Sequence, residues 1–473
     1  PIKAVRFILN ALPWSVTTFL FCTVAWAASG RKLAIFTLFS MLYMLLIGYW
    51  SESMNTLSLV AISVPLAILV GFAFGVWGFF SDRAARVIMP MLDVLQTVPS
   101  FAYLLPILML CGFGTVVGLI ASVLYSFPPM VRNTFLVLRG VSPEVIESGL
   151  MSGATPGQLF WQVRIPSSLK QILLGVNQAT MASLSMVIIA SIIGGTSDIG
   201  WEVLSQIRKA QFGESLLAGM VIALMAMVID RITAGFAAQS GQYDPEDKTF
   251  AQRHRYWIAA VLGATFFYVL AQIVGILNEW PRHWEISPAK AMNSGLTYLV
   301  ANFRDEIEAI KKFAFFFVML PAKIGLQGAV SPFTWGFELT LVHTIIYSLS
   351  MAMLAVWTAY KRGAQTAIPI LIFAIIIYFG LTGIPWPALP LICAVAGWKI
   401  GGWVLGLGTA LGLGFIVVTG IWPEAILSIY LCSIAVLVSF FLGTSIGIWA
   451  AHNDRVSAII RPFNDTLQTM PLF

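Results

Sequence analysis

Apolar runs alternate with short polar connections along most of the chain, near 14–28, 33–50, 55–80, 87–110, 115–138, 172–195, 215–238, 257–278, 337–360, 366–383, 386–398, 403–421 and 427–452, with another opening near 458. Spacings and lengths of this kind suit bilayer-crossing helices. They predict an all-α, polytopic membrane protein with about 13 transmembrane helices plus a partial one. Basic residues orient them. Arg31 and Lys32, Arg83 and Arg86, Arg139 and Arg164, Lys248 with Arg253 and Arg255, Lys361 and Arg362, Lys399, and Arg455 fall in every second connection, the cytoplasmic ones by the positive-inside bias. Arg208 and Lys209 fall on the other side, among Asp198, Glu202 and Glu214.

Composition agrees: 59% of residues are hydrophobic and 10% charged, with a mean hydropathy of +0.87, whereas soluble domains are about a quarter charged. The net charge of +6 is spread over short loops. It reads as membrane orientation and offers no basic patch for nucleic acid. Cys22, Cys111, Cys393 and Cys432 are solitary in apolar surroundings, which suits packed helices and gives no metal-ligand spacing. The first residues show no signal-peptide pattern.

A larger regularity is an internal repeat. Shifting the chain by 372 residues places Pro13-Trp14 on Pro385-Trp386, Trp26 on Trp398, Gly30 on Gly402, Gly48 on Gly420 and Trp50 on Trp422. From Gly71 to Phe101, 13 of 31 positions match Gly443 to Phe473, among them Asp82-Arg83 on Asp454-Arg455, Asp93 on Asp465 and "LQTVP" on "LQTMP". The chain therefore carries two parallel copies of one membrane unit. Parallel copies share an orientation, so an odd number of spans must separate them, and the runs at 257–278, 337–360 and 366–383 supply three. Segment 313–328 then does not span. It is expected to be amphipathic or re-entrant at the outer surface. The organisation predicted is leading helices of the first copy at 1–54, a permease-like core at 55–240 with a cytoplasmic loop at 142–168, an inter-repeat segment at 241–384, and the start of the second copy at 385–473.

That cytoplasmic loop, "EVIESGLMSGATPGQLFWQVRIP" from Glu144 to Pro166, is longer than a simple connection needs. Ser142-Pro143-Glu144 starts a helix, Gly153 breaks it, Thr155-Pro156 starts a second, and Pro166 is expected to end that one. Two short helices at an angle would present Glu147 and the Gly153 corner to the cytosol.

The pattern Glu147, Gly153 six residues on, then Val163, Ile165 and Pro166 resembles the EAA loop of permease subunits in bacterial ABC importers. Ser148 and Gly149 replace the two alanines but remain small. "LDVLQTVPSFAYLLPILMLCGFG", "SFPPMVRNTFLVLRGVSPEVIESG" and "GVNQATMASLSMVIIASIIGG" are similar to the glycine betaine, proline betaine and choline branch of those permeases. The resemblance implies two permease repeats of the type I ABC importer fold in a bacterial inner membrane. The loop, through Glu147, Ser148, Gly149, Gly153, Ile165 and Pro166, would couple the membrane helices to two copies of a separate cytoplasmic ATPase. ATP and magnesium would belong to that ATPase, because this chain has no GxxxxGK[ST] loop and no cofactor or metal motif of its own. A periplasmic or lipid-anchored binding protein would deliver a quaternary amine such as glycine betaine, choline or carnitine, or trimethylamine N-oxide.

Two further groups stand out. Asp93, Gln96, Thr97 and Pro99 recur as Asp465, Gln468, Thr469 and Pro471 near the cytoplasmic start of a span, and read either as helix capping with a proline kink or as a gate. Asn177, Gln178, Thr180, Met181, Ser183, Ser185 and Met186 lie on the span after the loop, where close packing and lining of a translocation path are both open to them. A rival function, a Na+- or H+-coupled secondary transporter, would favour inverted repeats and intramembrane acids over the parallel copies found. The second copy stops at Phe473, the counterpart of Phe101, and an intact protein is expected to carry a second Glu-x5-Gly loop with its Glu near position 519 at the same offset.

Overall fold

The computed structural model describes residues 2–194, 198–240, 255–315, 341–363, 367–368, 370–371, 374–375 and 387–469, and among them there is no strand. Among the described residues, seven helices are long and apolar enough to cross a membrane, or nine if each of two bent helix pairs is one span. The expected surface segment 313–328 lies, beyond Phe315, outside the described residues, as does most of 366–383.

The chain divides into two units, Pro1–Thr297 with Arg461–Phe473, and Tyr298–Ile460. The first unit is built on α1 (Ile2–Ala11), α2 (Trp14–Ser29), α3 (Arg31–Leu46), α4 (Trp50–Phe80), α5 (Asp82–Thr97), α6 (Ser100–Cys111), α7 (Thr115–Arg139), α8 (Pro143–Met151), α9 (Pro156–Gln158), α10 (Ile165–Gly194), α11 (Ile199–Arg208) and α12 (Phe212–Gln239). Helix Arg255–Ile273 follows. Its core is held by α4, α7, α10 and α12. The close approach of α4 and α7 is made by small residues: a Cβ on Gly71 would sit 2.6 Å from Met130 Cβ, and one on Gly75 would sit 2.6 Å from Thr134 Cβ. Without water to drive helices together, such small-residue contacts let backbones approach and dispersion act.

In one place a single span is replaced by two elements. The run 87–110 divides into α5 and α6, bent by 94°. Val98 is extended at ψ 124°, as a residue before proline prefers, and Pro99 brings no N–H to continue the ladder. Helix α5 carries Asp82, Arg83, Arg86 and Asp93, of which only Asp93 falls within the run, so the apolar stretch passes through the bend without a charge to mark it.

In the second unit, helix Ala388–Val418 contains a non-helical break at Gly401 and Gly402 and is followed by Trp422–His452, with Asp454–Thr469 beyond. The 372-residue repeat is visible in the backbone. Gly30 has φ 81° and ψ −166°, and Gly402 has φ 77° and ψ −178°. Gly48 and Gly420 turn at φ 81° and 76°. Ser81 and Asn453, at φ −135° and −140°, precede the matching helices α5 and Asp454–Thr469. Each side chain accepts a first-turn N–H: Ser81 Oγ from Ala84, and Asn453 Oδ1 from Arg455 and Val456. Different residues thus supply one N-cap, the exchange expected between Ser and Asn.

Candidate functional site: a fastened hairpin

The loop after α7 is two helices joined by a tight corner. Pro143 occupies the first turn of α8, where its missing N–H costs nothing. At the other end, the N–H of Gly153 donates to Leu150 O at 2.9 Å and that of Ala154 to Gly149 O at 3.2 Å. This nested pair satisfies the last carbonyls of α8 and needs a left-handed residue. Gly153 supplies it at φ 79°. Thr155 then caps α9 reciprocally with Gln158, side chain to backbone in both directions.

The second helix does not stop at Pro166, contrary to the sequence expectation. Residues Leu159–Arg164 form a widened π turn, in which Ile165 N–H donates to Phe160 O, and α10 continues from Ile165. A regular helix would press the Pro166 ring against the carbonyl four residues back. The wider turn ahead of it relieves that clash, so hairpin and span become one continuous rod.

Three contacts fasten this rod to the membrane helices. Arg164 Nη1 donates to Leu138 O at 3.0 Å, and its guanidinium lies 5.0 Å from the centroid of the Phe79 ring. Phe160, only 5% exposed, packs 5.0 Å from the Phe80 ring and 6.1 Å from the Phe79 ring. Gly149 gives the two arms of the hairpin room to close, since a Cβ there would stand 2.8 Å from Leu159 Cδ1 and 3.2 Å from Val163 Cγ2. Glu144, Ser148, Gly149, Ser152, Gly153, Gln158 and Val163, from both arms, line a groove of about 680 Å³. Glu147 is exposed on α8 and makes no hydrogen bond or ion pair with a described residue.

Beside the hairpin, α5 is bound antiparallel to α7 by two ion pairs, Asp82 with Arg139 and Asp93 with Arg132. Asp93 lies within α5, not at its cap, and its carbonyl accepts from Thr97 Oγ1 at 2.9 Å. Gln96 is exposed, and Pro99 precedes the first residue of α6. In the second copy, Asp465, Gln468 and Thr469 lie on helix Asp454–Thr469, while Pro471 is outside the described residues.

Residues of α10 divide between packing and exposure. Asn177 Nδ2 donates to Asp230 Oδ1 at 3.1 Å and Asn177 accepts from Thr233 Oγ1, joining α10 to α12. Ser183 Oγ is 2.7 Å from Ser63 Oγ on α4. Thr180 returns its hydroxyl to Val176 O, and Met186 is fully buried against Leu104 and Val117. Met181 packs half-buried against the main core, and Ser185 is half-buried. Gln178 is exposed. At the opposite end of the unit, burial and then Glu202, Glu214 and Glu52 push the Tyr49 phenol up to about 12.

Among the described residues the first unit is helical, with spans long and apolar enough to cross a membrane and a capped hairpin fastened to their ends. The chain belongs to the family described as binding-protein-dependent transport system inner membrane component, which it matches over residues 63–239, and whose fold is the type I ABC importer fold. It is similar to the trimethylamine N-oxide transport system permease protein TmoV of Ruegeria pomeroyi, 27% identical over 98% of this chain and 62% of that protein. The TmoV of Pelagibacter ubique is 29% identical over 98% of this chain and 58% of its own length. The glycine betaine transport system permease protein OpuAB of Bacillus subtilis is 38% identical over 48% of this chain and 79% of its own. The chain thus spans about three fifths of the length of the two TmoV proteins.

Proposed function

We propose that this chain forms the translocation pathway of an ATP-driven importer for small methylated amines, the class that includes glycine betaine, choline, carnitine and trimethylamine N-oxide, in a bacterial inner membrane. Separate ATPase subunits, two per complex, seat the hairpin around Glu147 and Gly153. A periplasmic or lipid-anchored binding protein delivers the cargo to the outer face.

The observation that carries this reading is the continuity of the hairpin with the span. An ATPase that displaced α8 would move Leu159–Arg164, and through Arg164 and Phe160 it would move the ends of α4 and α7 together. A connection that served only to join two helices gains nothing from such fastening. Support for the substrate class comes from the names of the similar permeases, which carry trimethylamine N-oxide and glycine betaine transport.

Uptake into proteoliposomes holding the full complex tests it. Accumulation of a methylated amine should need ATP, the ATPase and the binding protein together. Uptake driven by a Na+ or H+ gradient through this chain alone would overturn the proposal.

A further inference from the structure

Gln178 is out of place for a residue on a membrane span. Consider α4, α7, α10 and α12 at positions more than ten residues from either end: among the described residues there, the exposed side chains are Ala61, Pro65, Leu66, Leu69 and Gln178. Four of these are apolar. Gln178 is polar, level with Asn133 six residues in from the Arg139 end of α7, and polar groups on spans turn toward protein or water.

The amide is also oriented. Asn133 Nδ2 on α7 donates to Gln178 Oε1 at 2.8 Å, which engages the acceptor end, while the two Nε2 hydrogens make no hydrogen bond with a described residue. Asn133 is itself held in place by the crossing of α7 and α10, where a Cβ on Gly175 would lie 2.9 Å from Asn133 Cβ. Gln171 stands seven residues before Gln178 and Ser185 seven after it. Seven residues fall about 20° short of two full turns, so the three follow one face of α10. Gln171 is exposed and Ser185 half-buried. A polar line thus runs along α10 on a face that the first unit leaves open.

We propose that this face borders the translocation path and that Gln178 donates from Nε2 to the oxygen of the cargo in transit. The ligand class is a small solute with an acceptor oxygen, a carboxylate or an N-oxide, beside a methylated ammonium. Asn133 acts as a positioning residue that holds the acceptor end. A neutral amide suits this role because it recognises the oxygen without the tight ion pairing that would hold the solute back. This inference rests on the methylated-amine reading above.

The test uses the full complex with Cys22, Cys111, Cys393 and Cys432 replaced by serine, and Gln178→Cys introduced. The probe is a charged, membrane-impermeant methanethiosulfonate carrying a trimethylammonium group. Modification should proceed at least tenfold faster than at Leu66→Cys or Leu69→Cys, and saturating cargo should slow it. Should Gln178→Cys fail to assemble, Gln171→Cys and Ser185→Cys report on the same face. In an otherwise native complex, Gln178→Leu should raise the KM for uptake about tenfold, with Asn133→Leu producing a smaller rise. Thiols on this face that are inert in every nucleotide state would overturn the proposal while leaving ATP-driven uptake intact. Rapid modification that methylated amines do not slow would keep the path and refute the cargo contact.

Discussion

Arg164 and Leu138 are joined by a hydrogen bond of 3.0 Å from a guanidinium Nη1 to a main-chain carbonyl, 26 residues away in the chain. The bond closes the loop after α7 into a ring whose base is the end of α7, and the same guanidinium covers Phe79 at the end of α4. A charge-assisted hydrogen bond contributes about 1.5–3 kcal/mol and a partly exposed cation–π contact about 0.5–1 kcal/mol. Arg164→Ala should therefore leave the complex assembled while lowering uptake about tenfold at near-normal ATP hydrolysis. Arg164→Lys, which keeps the charge without the planar fork, should fall between. Paired hydrolysis and uptake assays decide it, and equal loss of both would show that the ring serves assembly alone.

Phe160 anchors the same rod by packing. Core Phe→Ala changes cost about 3–5 kcal/mol, and here the loss is confined to the cluster with Phe79 and Phe80. Phe160→Ala should expose Arg164 to trypsin, with cleavage in inside-out vesicles several-fold faster than in the wild type. Unchanged cleavage would mean that the aromatic cluster does not hold the hairpin.

The corner isolates a backbone effect. Nothing lies within 4 Å of where a Gly153 Cβ would stand, so a substitution there meets only the cost of its left-handed φ, about 1–2 kcal/mol for most residues and less for Asn. Gly153→Asn should retain most coupled transport and Gly153→Val should lose most of it. Equal activity of the two variants would show that the corner's geometry is not used.

How much of this was readable in advance depended on whether the cause was local. Gly153, Thr155-Pro156 and Ser142-Pro143 signal through backbone preferences of one or two residues, and the structure forms the corner and both helix starts there. The repeat was equally legible, because Gly30 and Gly402 or Gly48 and Gly420 keep both identity and dihedral angles. Pro166 was misread, since the rule that proline ends a helix holds for regular turns and the π turn before it changes the geometry. The bend in run 87–110 left little trace for another reason: Asp93 is its only charged residue, so averaged hydropathy runs straight through Val98-Pro99. Phe79, Phe160 and the Arg164 contact carried no signal in the chain at all. Their partners lie tens of residues apart, and aromatic residues are common throughout such a sequence.

The two ion pairs of α5 offer a test of a different kind. Their side chains are 38% and 64% exposed in Arg132–Asp93 and 45% and 83% in Arg139–Asp82, so each contributes at most about 1 kcal/mol to stability. Asp93→Arg should leave thermal stability almost unchanged and reduce transport, and the exchanged pair Asp93→Arg with Arg132→Asp should recover it. Recovery read as uptake rate supports α5 as a moving part tied to α7. A swap that stays as poor as the single change would assign Asp93 some role outside the pair.

The ratio of ATP hydrolysed to cargo imported by the complete complex, compared between wild type and Glu147→Ala, tests the hairpin's role most directly. Glu147 is exposed and makes no hydrogen bond or ion pair with a described residue, so its removal should not disturb the fold of the membrane unit. A coupling hairpin predicts continued hydrolysis, uptake reduced at least tenfold, and a ratio that rises accordingly. An unchanged ratio in an assembled Glu147→Ala complex would contradict the docking role assigned to this residue.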